Sequence, residues 1–157
     1  MIVPQQGRRR FLKGMGILID ALIDTNVILN YITERDDPFL DDSKRIVELC
    51  ARERFNGFIA FHSLSIIWYA LRKRAVSERR FWLRSVCDVL TVAGATHEQA
   101  LEAIDNEMLE DFEDCLQDEC AQSVGAQYLV TCNVKDFEHA KTRVCTPRQF
   151  LAILSDK

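Results

Sequence analysis

The chain reads as an α/β protein, a three-layer α/β/α sandwich around a mainly parallel central sheet. Three features carry that reading. Short apolar runs such as Ile17–Ile23 and Tyr128–Thr131 lack the alternation of a half-exposed strand and suit strands buried on both faces. Stretches with apolar residues at helical spacing separate them. The resulting order is strand, helices, strand, helices, strand, helix, strand, helix, which calls for parallel pairing through crossover connections. A length of 157 residues suits one domain, and the sequence contains no internal repeat, linker or low-complexity segment.

Met1 to Gly14 are read as a basic, poorly ordered extension, with the domain spanning 15–157. The motif "RRRFLK" (Arg8–Lys13) resembles a twin-arginine export signal, but the apolar stretch behind it contains Asp20 and Asp24, and no small-residue cleavage site follows. The first strand ends at Asp24, and Val27 to about Thr33 continue as a short helix until Pro38 interrupts. Asp41 and Asp42 open the next helix, with Ile46, Val47, Leu49 and Cys50 as its apolar face. Asn56-Gly57 is expected to turn the chain into the strand Phe58–Phe61. Leu64, Ile67, Trp68 and Leu71 mark a helix whose end is cationic, and an amphipathic helix follows from Ser77 to about Val89. After the strand-like "LTVAG", Thr96 and Gln99 have the spacing of a capping box for a helix over His97–Asn106. Asp111 is placed to cap a helix with Phe112, Leu116, Cys120 and Val124 as its buried stripe, closed by Gly125. Tyr128–Thr131 form a buried strand, Val144 and Cys145 an edge strand, and Pro147 starts the last helix.

The net charge of −4 gives no global attraction to nucleic acid, so such a partner must meet a local basic patch. Arg72, Lys73, Arg74, Arg79, Arg80 and Arg84 are the candidates, either as phosphate contacts or as an ordinary solvated helix end. The six cysteines form no CxxC pair and have no histidine at zinc-like spacing, which points to reduced, buried thiols in the cytoplasm. No apolar run is long enough for a transmembrane helix.

The acids carry the chemistry. Asp24 stands at the carboxyl end of the first strand, where ligands of open α/β sheets bind, and the alternative is a helix cap at Asp24 or Thr25. Asp111, Asp114 and Asp118 share a helix face at spacings of three and four, either as a cap and a solvated acidic face or as ligands. Asp136 lies in the loop after a later strand, where a turn or cap explains it equally well. Carboxylates at these places converge on one sheet edge only if a hard cation joins them, and Mg²⁺ or Mn²⁺ is the expected occupant. His62, His97 and His139 have no acidic partner in sequence and are read as ordinary core or surface residues.

The segments "LIDTNVIL", "FIAFHSLSIIWYALRK", "DFEDCLQDECA", "YLVTCNVKDF" and "TPRQFL" together resemble the PIN-domain family, notably the bacterial branch related to VapC-type toxins, over about Met15–Leu154. The resemblance implies a metal-dependent nuclease, usually acting on RNA. It maps family acids onto Asp24, Asp114 and Asp136, and supporting polar residues onto Thr25, Asn26, Thr131 and Asn133. Asp118, Ser63 or Ser65 are candidates to supplement the site, because Ile66 stands where many relatives carry an acid. Cys132 likewise replaces a basic residue of the family. An antitoxin partner and a homodimer are further expectations of the resemblance. The expected function is therefore an endoribonuclease hydrolysing phosphodiesters with a metal-activated water, the toxin of a toxin–antitoxin pair. A catalytically degenerate module that binds RNA or a protein is the alternative, favoured by Ile66. A phosphatase with an aspartyl nucleophile would need a second acid two residues on, where the chain has Asn26.

Overall fold

Five parallel strands are stacked in the order β3-β2-β1-β4-β5. The structure, a computed structural model, describes residues 18–156; the basic extension over 1–14 lies outside the described residues. In chain order the elements are β1 (Asp20–Ile23), α1 (Thr25–Thr33), α2 (Leu40–Ala51), β2 (Asn56–Ala60), α3 (Ser63–Ala70), α4 (Val76–Val89) and β3 (Thr91–Ala93). Then follow α5 (His97–Asp105), α6 (Phe112–Ser123), β4 (Tyr128–Val130), a 3₁₀ turn (Val134–Phe137), β5 (Val144–Cys145) and α7 (Pro147–Ser155). The sandwich predicted from sequence is the fold observed.

Side-chain alternation along the strands builds two cores. Ala21, Ile23, Ile59 and Val130 face a cluster with Val27 and Ile28 of α1, Ile46 of α2, Ile67 of α3, Val86 of α4 and Phe150 of α7. Leu22, Phe58, Ala60, Ala93 and Leu129 face the other side, against Cys120 and Ala121 of α6. α5 packs on α6 in that second layer.

Three sequence expectations are corrected here. Asn56-Gly57 does not turn the chain; both residues lie in β2, paired with Asp20 and Ala21. Glycine is needed there because a Cβ would collide with Cys50 Sγ and with Leu90 Cδ2, as α2 and the end of α4 close over the strand. The stripe expected on α6 is also displaced: Phe112 is exposed, and the buried set is Cys115, Gln117, Asp118, Glu119, Cys120 and Ala121. The helix lies on the sheet with α5 beside it, so its covered arc is wider than one stripe and takes in polar residues. Third, α3 ends at Ala70, so Arg72, Lys73 and Arg74 lie beyond the helix rather than in its last turn.

The chain leaves β1 toward β2 and β3 and later returns to the other side of β1 as β4. The carboxyl ends of β1 and β4 thus form the topological switch point of the sheet. Asp24 and Thr131 are the first residues beyond those two ends.

Candidate active site

Asp24 follows β1 directly, and its backbone N–H donates to Val130 O at 2.9 Å, continuing the β1–β4 pairing. It occupies the N-cap position of α1, yet its side chain makes no capping bond. The carboxylate instead accepts from Thr131 Oγ1 at 2.7 Å and from Asn26 Nδ2 at 2.7 Å. The bland reading of Asp24 as a cap is therefore not what its side chain does. Burial raises its pKa from 3.8 to about 6, against the opposing pull of the Thr131 hydroxyl.

A clamp of small polar groups holds this acid. Asn26 Nδ2 also reaches Thr131 Oγ1 at 3.1 Å, and Asn26 Oδ1 accepts from the Cys132 N–H at 3.1 Å. Thr131 Oγ1 accepts in turn from the Asn133 N–H at 3.1 Å. Asn26, Thr131 and Asn133, named from sequence, thus join α1 to the segment after β4. Thr25 is different. Its hydroxyl points away from Asp24 and donates to Ser63 Oγ at 2.7 Å.

Asp114 comes from the first turn of α6, and Asp136 from the 3₁₀ turn after β4. Both line an open cleft of about 400 Å³, with Glu110 and Asp111. Asp111 caps α6, accepting from the Glu113 N–H at 2.8 Å, which frees Asp114 from that duty. Partial burial, followed by the negative charges of Asp24, Asp111, Asp136 and Glu113, raises the Asp114 pKa from 3.8 to about 7. Glu113 is pushed up as well, by burial and by Asp24 and Asp111. Among the described residues, Asp24, Asp114 and Asp136 have no Lys, Arg or His ion-pair partner.

This donor set fits a hydrated divalent cation better than a caged one. Among the described residues, no three His, Cys, Asp or Glu side chains stand close enough to form a ready-made metal cage. Mg²⁺ commonly keeps several waters and is held by only one or two carboxylates. A carboxyl whose pKa is raised by its acidic neighbours, as that of Asp114 is, is a group such an ion relieves.

Asp118 does not join the other acids. Its carboxylate is buried and accepts from the Lys141 N–H at 2.7 Å and the Thr142 N–H at 2.9 Å, fastening the loop before β5 to α6. Ile66 is half-buried on α3, and Ser65 is exposed with its hydroxyl bonded to His62 O. The cationic candidates are mostly engaged within the chain. Arg79 lies 3.5 Å over the Trp68 ring and donates to Trp68 O; Arg74 pairs with Glu78 and Arg84 with Asp88. Arg72 packs over Tyr69 and Arg80 lies 5.8 Å from the Trp68 ring centroid, while Lys73 is exposed. His97 and His139 are exposed, and His62 is half-buried with its pKa lowered by burial.

One residue of the neighbourhood escaped the sequence reading. Gln117, fully buried on α6, donates to Thr25 Oγ1 at 2.9 Å and to Ser63 Oγ at 3.0 Å. A glutamine three residues after Asp114 was a visible signal, masked by the assumption that this side of the helix faced solvent.

Comparisons with known proteins place the fold. The family model described as PIN domain matches residues 20–135, well over half of the chain. Among curated proteins, none matches the chain significantly by sequence. Among solved structures, VapBC2 from Rickettsia felis, bound to a DNA fragment from its promoter, aligns with a TM-score of 0.62 at 18% identity, covering 80% of this chain and 97% of that one. VapBC-1 from nontypeable Haemophilus influenzae aligns with a TM-score of 0.62 at 15% identity, covering 82% and 98%. VapC20 of Mycobacterium tuberculosis, a sarcin–ricin loop cleaving toxin, aligns with a TM-score of 0.50 at 18% identity, covering 69% and 86%. At these identities the likeness is one of fold.

Proposed function

The chain belongs to the PIN-domain family, and from that premise we propose that it is a divalent-metal-dependent endoribonuclease, the toxin of a toxin–antitoxin pair. One observation carries the reading: Asp24 stands at the switch point of the sheet, Asp114 and Asp136 line the acid cleft, the charges of Asp24 and Asp136 help to raise the Asp114 pKa, and none of the three has a cationic partner among the described residues. Mg²⁺ or Mn²⁺ is the proposed counter-charge. Such an ion would activate a water and neutralise charge on the scissile phosphate and the departing oxygen.

The side chains have separable roles in this scheme. Asp24 is the most fixed ligand, locked by Thr131 and Asn26 so that no rotamer search precedes binding. Asp114 and Asp136 line the cleft from two other elements. Asn26 and Thr131 orient Asp24, and the Asn133 N–H in turn holds the Thr131 hydroxyl. Lys73 and Arg80, which have no carboxylate partner among the described residues, are the first candidates to hold RNA phosphates.

The VapBC complexes among the structural neighbours support a small antitoxin as partner. Exposed Tyr69, Val76 and Phe81 on and between α3 and α4, and Leu101, Ile104 and Met108 on and after α5, offer apolar surface to a partner or a second copy. Six free thiols suit a reducing cytoplasm. Among the described residues, no helix is long and apolar enough to cross a membrane.

A manganese-dependent cleavage assay on single-stranded RNA tests the reading. The wild-type chain is expected to cleave, a chelator to stop it, and Asp24→Asn to lower the rate by ~100-fold or more. Equal residual activity in wild type and variant overturns it. The half-buried Ile66 favours a second reading, a module that binds RNA without cutting it; retained RNA binding with no metal-dependent cleavage is its signature.

A further inference from the structure

Gln117 sits where three site-bearing elements meet. Its amide nitrogen donates to Thr25 Oγ1 of α1 at 2.9 Å and to Ser63 Oγ of α3 at 3.0 Å, and Thr25 Oγ1 donates to Ser63 Oγ at 2.7 Å. All three residues are buried. Gln117 Oε1 is itself buried with no partner among the described residues. An apolar side chain of the same length would fill this space without stranding a carbonyl, so packing alone does not account for an amide here.

The positions of the three residues say what the amide does. Thr25 is the neighbour of Asp24 and opens α1. Gln117 follows Asp114 by three residues, one turn deeper along α6 and on the same side of it. Ser63 opens α3, three residues before Ile66, where the resemblance to the family expects a carboxylate. The bonds among Gln117, Thr25 and Ser63 tie α6, α1 and α3 directly to one another next to the acids that α1 and α6 carry or follow.

We propose that Gln117 is a positioning residue of the acid cleft, holding α1, α3 and α6 together through Thr25 and Ser63 so that Asp24 and Asp114 can share one divalent cation. The proposal rests on the metal-dependent reading above. Its role is in the geometry of the acids; it does not touch substrate.

The test is calorimetric titration of Mn²⁺ into the full chain and into Gln117→Met, Ser63→Ala and the double variant, with metal-free thermal unfolding followed in parallel. Met keeps the length of Gln and removes both N–H donors. Each single variant is expected to bind Mn²⁺ ~10-fold more weakly. The double variant is expected to lose less than the sum of the two single losses, because both singles remove the shared Gln117–Ser63 bond. A lowered unfolding temperature with unchanged Mn²⁺ affinity of the folded protein means a merely structural role and overturns the proposal. Additive losses in the double variant overturn the shared bond. If Gln117→Met does not fold, Ser63→Ala, which removes one hydroxyl, carries the same comparison. A wild-type chain that does not bind Mn²⁺ overturns this proposal together with the metal-dependent reading; equal binding by wild type and variants overturns this one alone.

Discussion

Asp24 and Asp114 hold their protons up to pH values of about 6 and about 7, against 3.8 for an ordinary aspartate. A carboxyl whose pKa is raised by folding stabilises the folded state fully below its unfolded pKa, and that contribution is lost as pH rises through the folded value. The metal-free chain should therefore lose stability between about pH 4 and pH 7 on account of these two groups. Asp114→Asn removes the titration, so in chelator it should melt several degrees above wild type at pH 8, with the gap narrowing at pH 5. Thermal melts at the two pH values check this, and an equal gap at both contradicts it. Asp118 tests the opposite case. Asp118→Ala strands the buried Thr142 N–H and frees the part-buried Lys141 N–H, and should cost ~1–3 kcal/mol in urea unfolding while leaving Mn²⁺ binding intact. Loss of Mn²⁺ binding in that variant would return Asp118 to the site. Spacing alone could not separate these two aspartates. Four residues apart on one helix, they are equivalent by spacing until the sheet and α5 decide which arc of α6 is covered.

At the scale of elements, caps and turns were the most legible features. Thr96 and Gln99 form the expected capping box, Gly125 ends α6 at φ +63°, and Pro147 opens α7. These signals are local, and local sequence carries them. Gly57 was misread because a close approach between distant elements and a turn both call for glycine. Gly57→Ala should destabilise the chain by ~1–3 kcal/mol, since α2 and α4 must move off β2 to admit a methyl group. Urea unfolding at unchanged m-value measures it; a neutral substitution contradicts the close packing described here. The cationic stretch after α3 shows the same limit. Its charges were visible, but the partners Trp68, Glu78 and Asp88 that occupy several of them became apparent only with the packing of α3 on α4.

For the molecule as a whole, the strand order is what turns scattered acids into a cleft. The kinds of element are legible in the sequence, and the resemblance implies convergence of Asp24, Asp114 and Asp136. The resemblance also pointed to Asn26 and Thr131 as supports of the site, but neither source supplies the Gln117 network, because it joins residues about 40 to 90 positions apart. With β1 and β4 adjacent and parallel, the carboxyl ends of two strands and the start of α6 meet at one rim. The central claim is that this rim grips a single divalent ion. Mn²⁺ titration of the wild-type chain against Asp114→Ala tests it most directly. One saturable site in the wild type, weakened ~10-fold or more in the variant, is the predicted result; superimposable binding curves would contradict it.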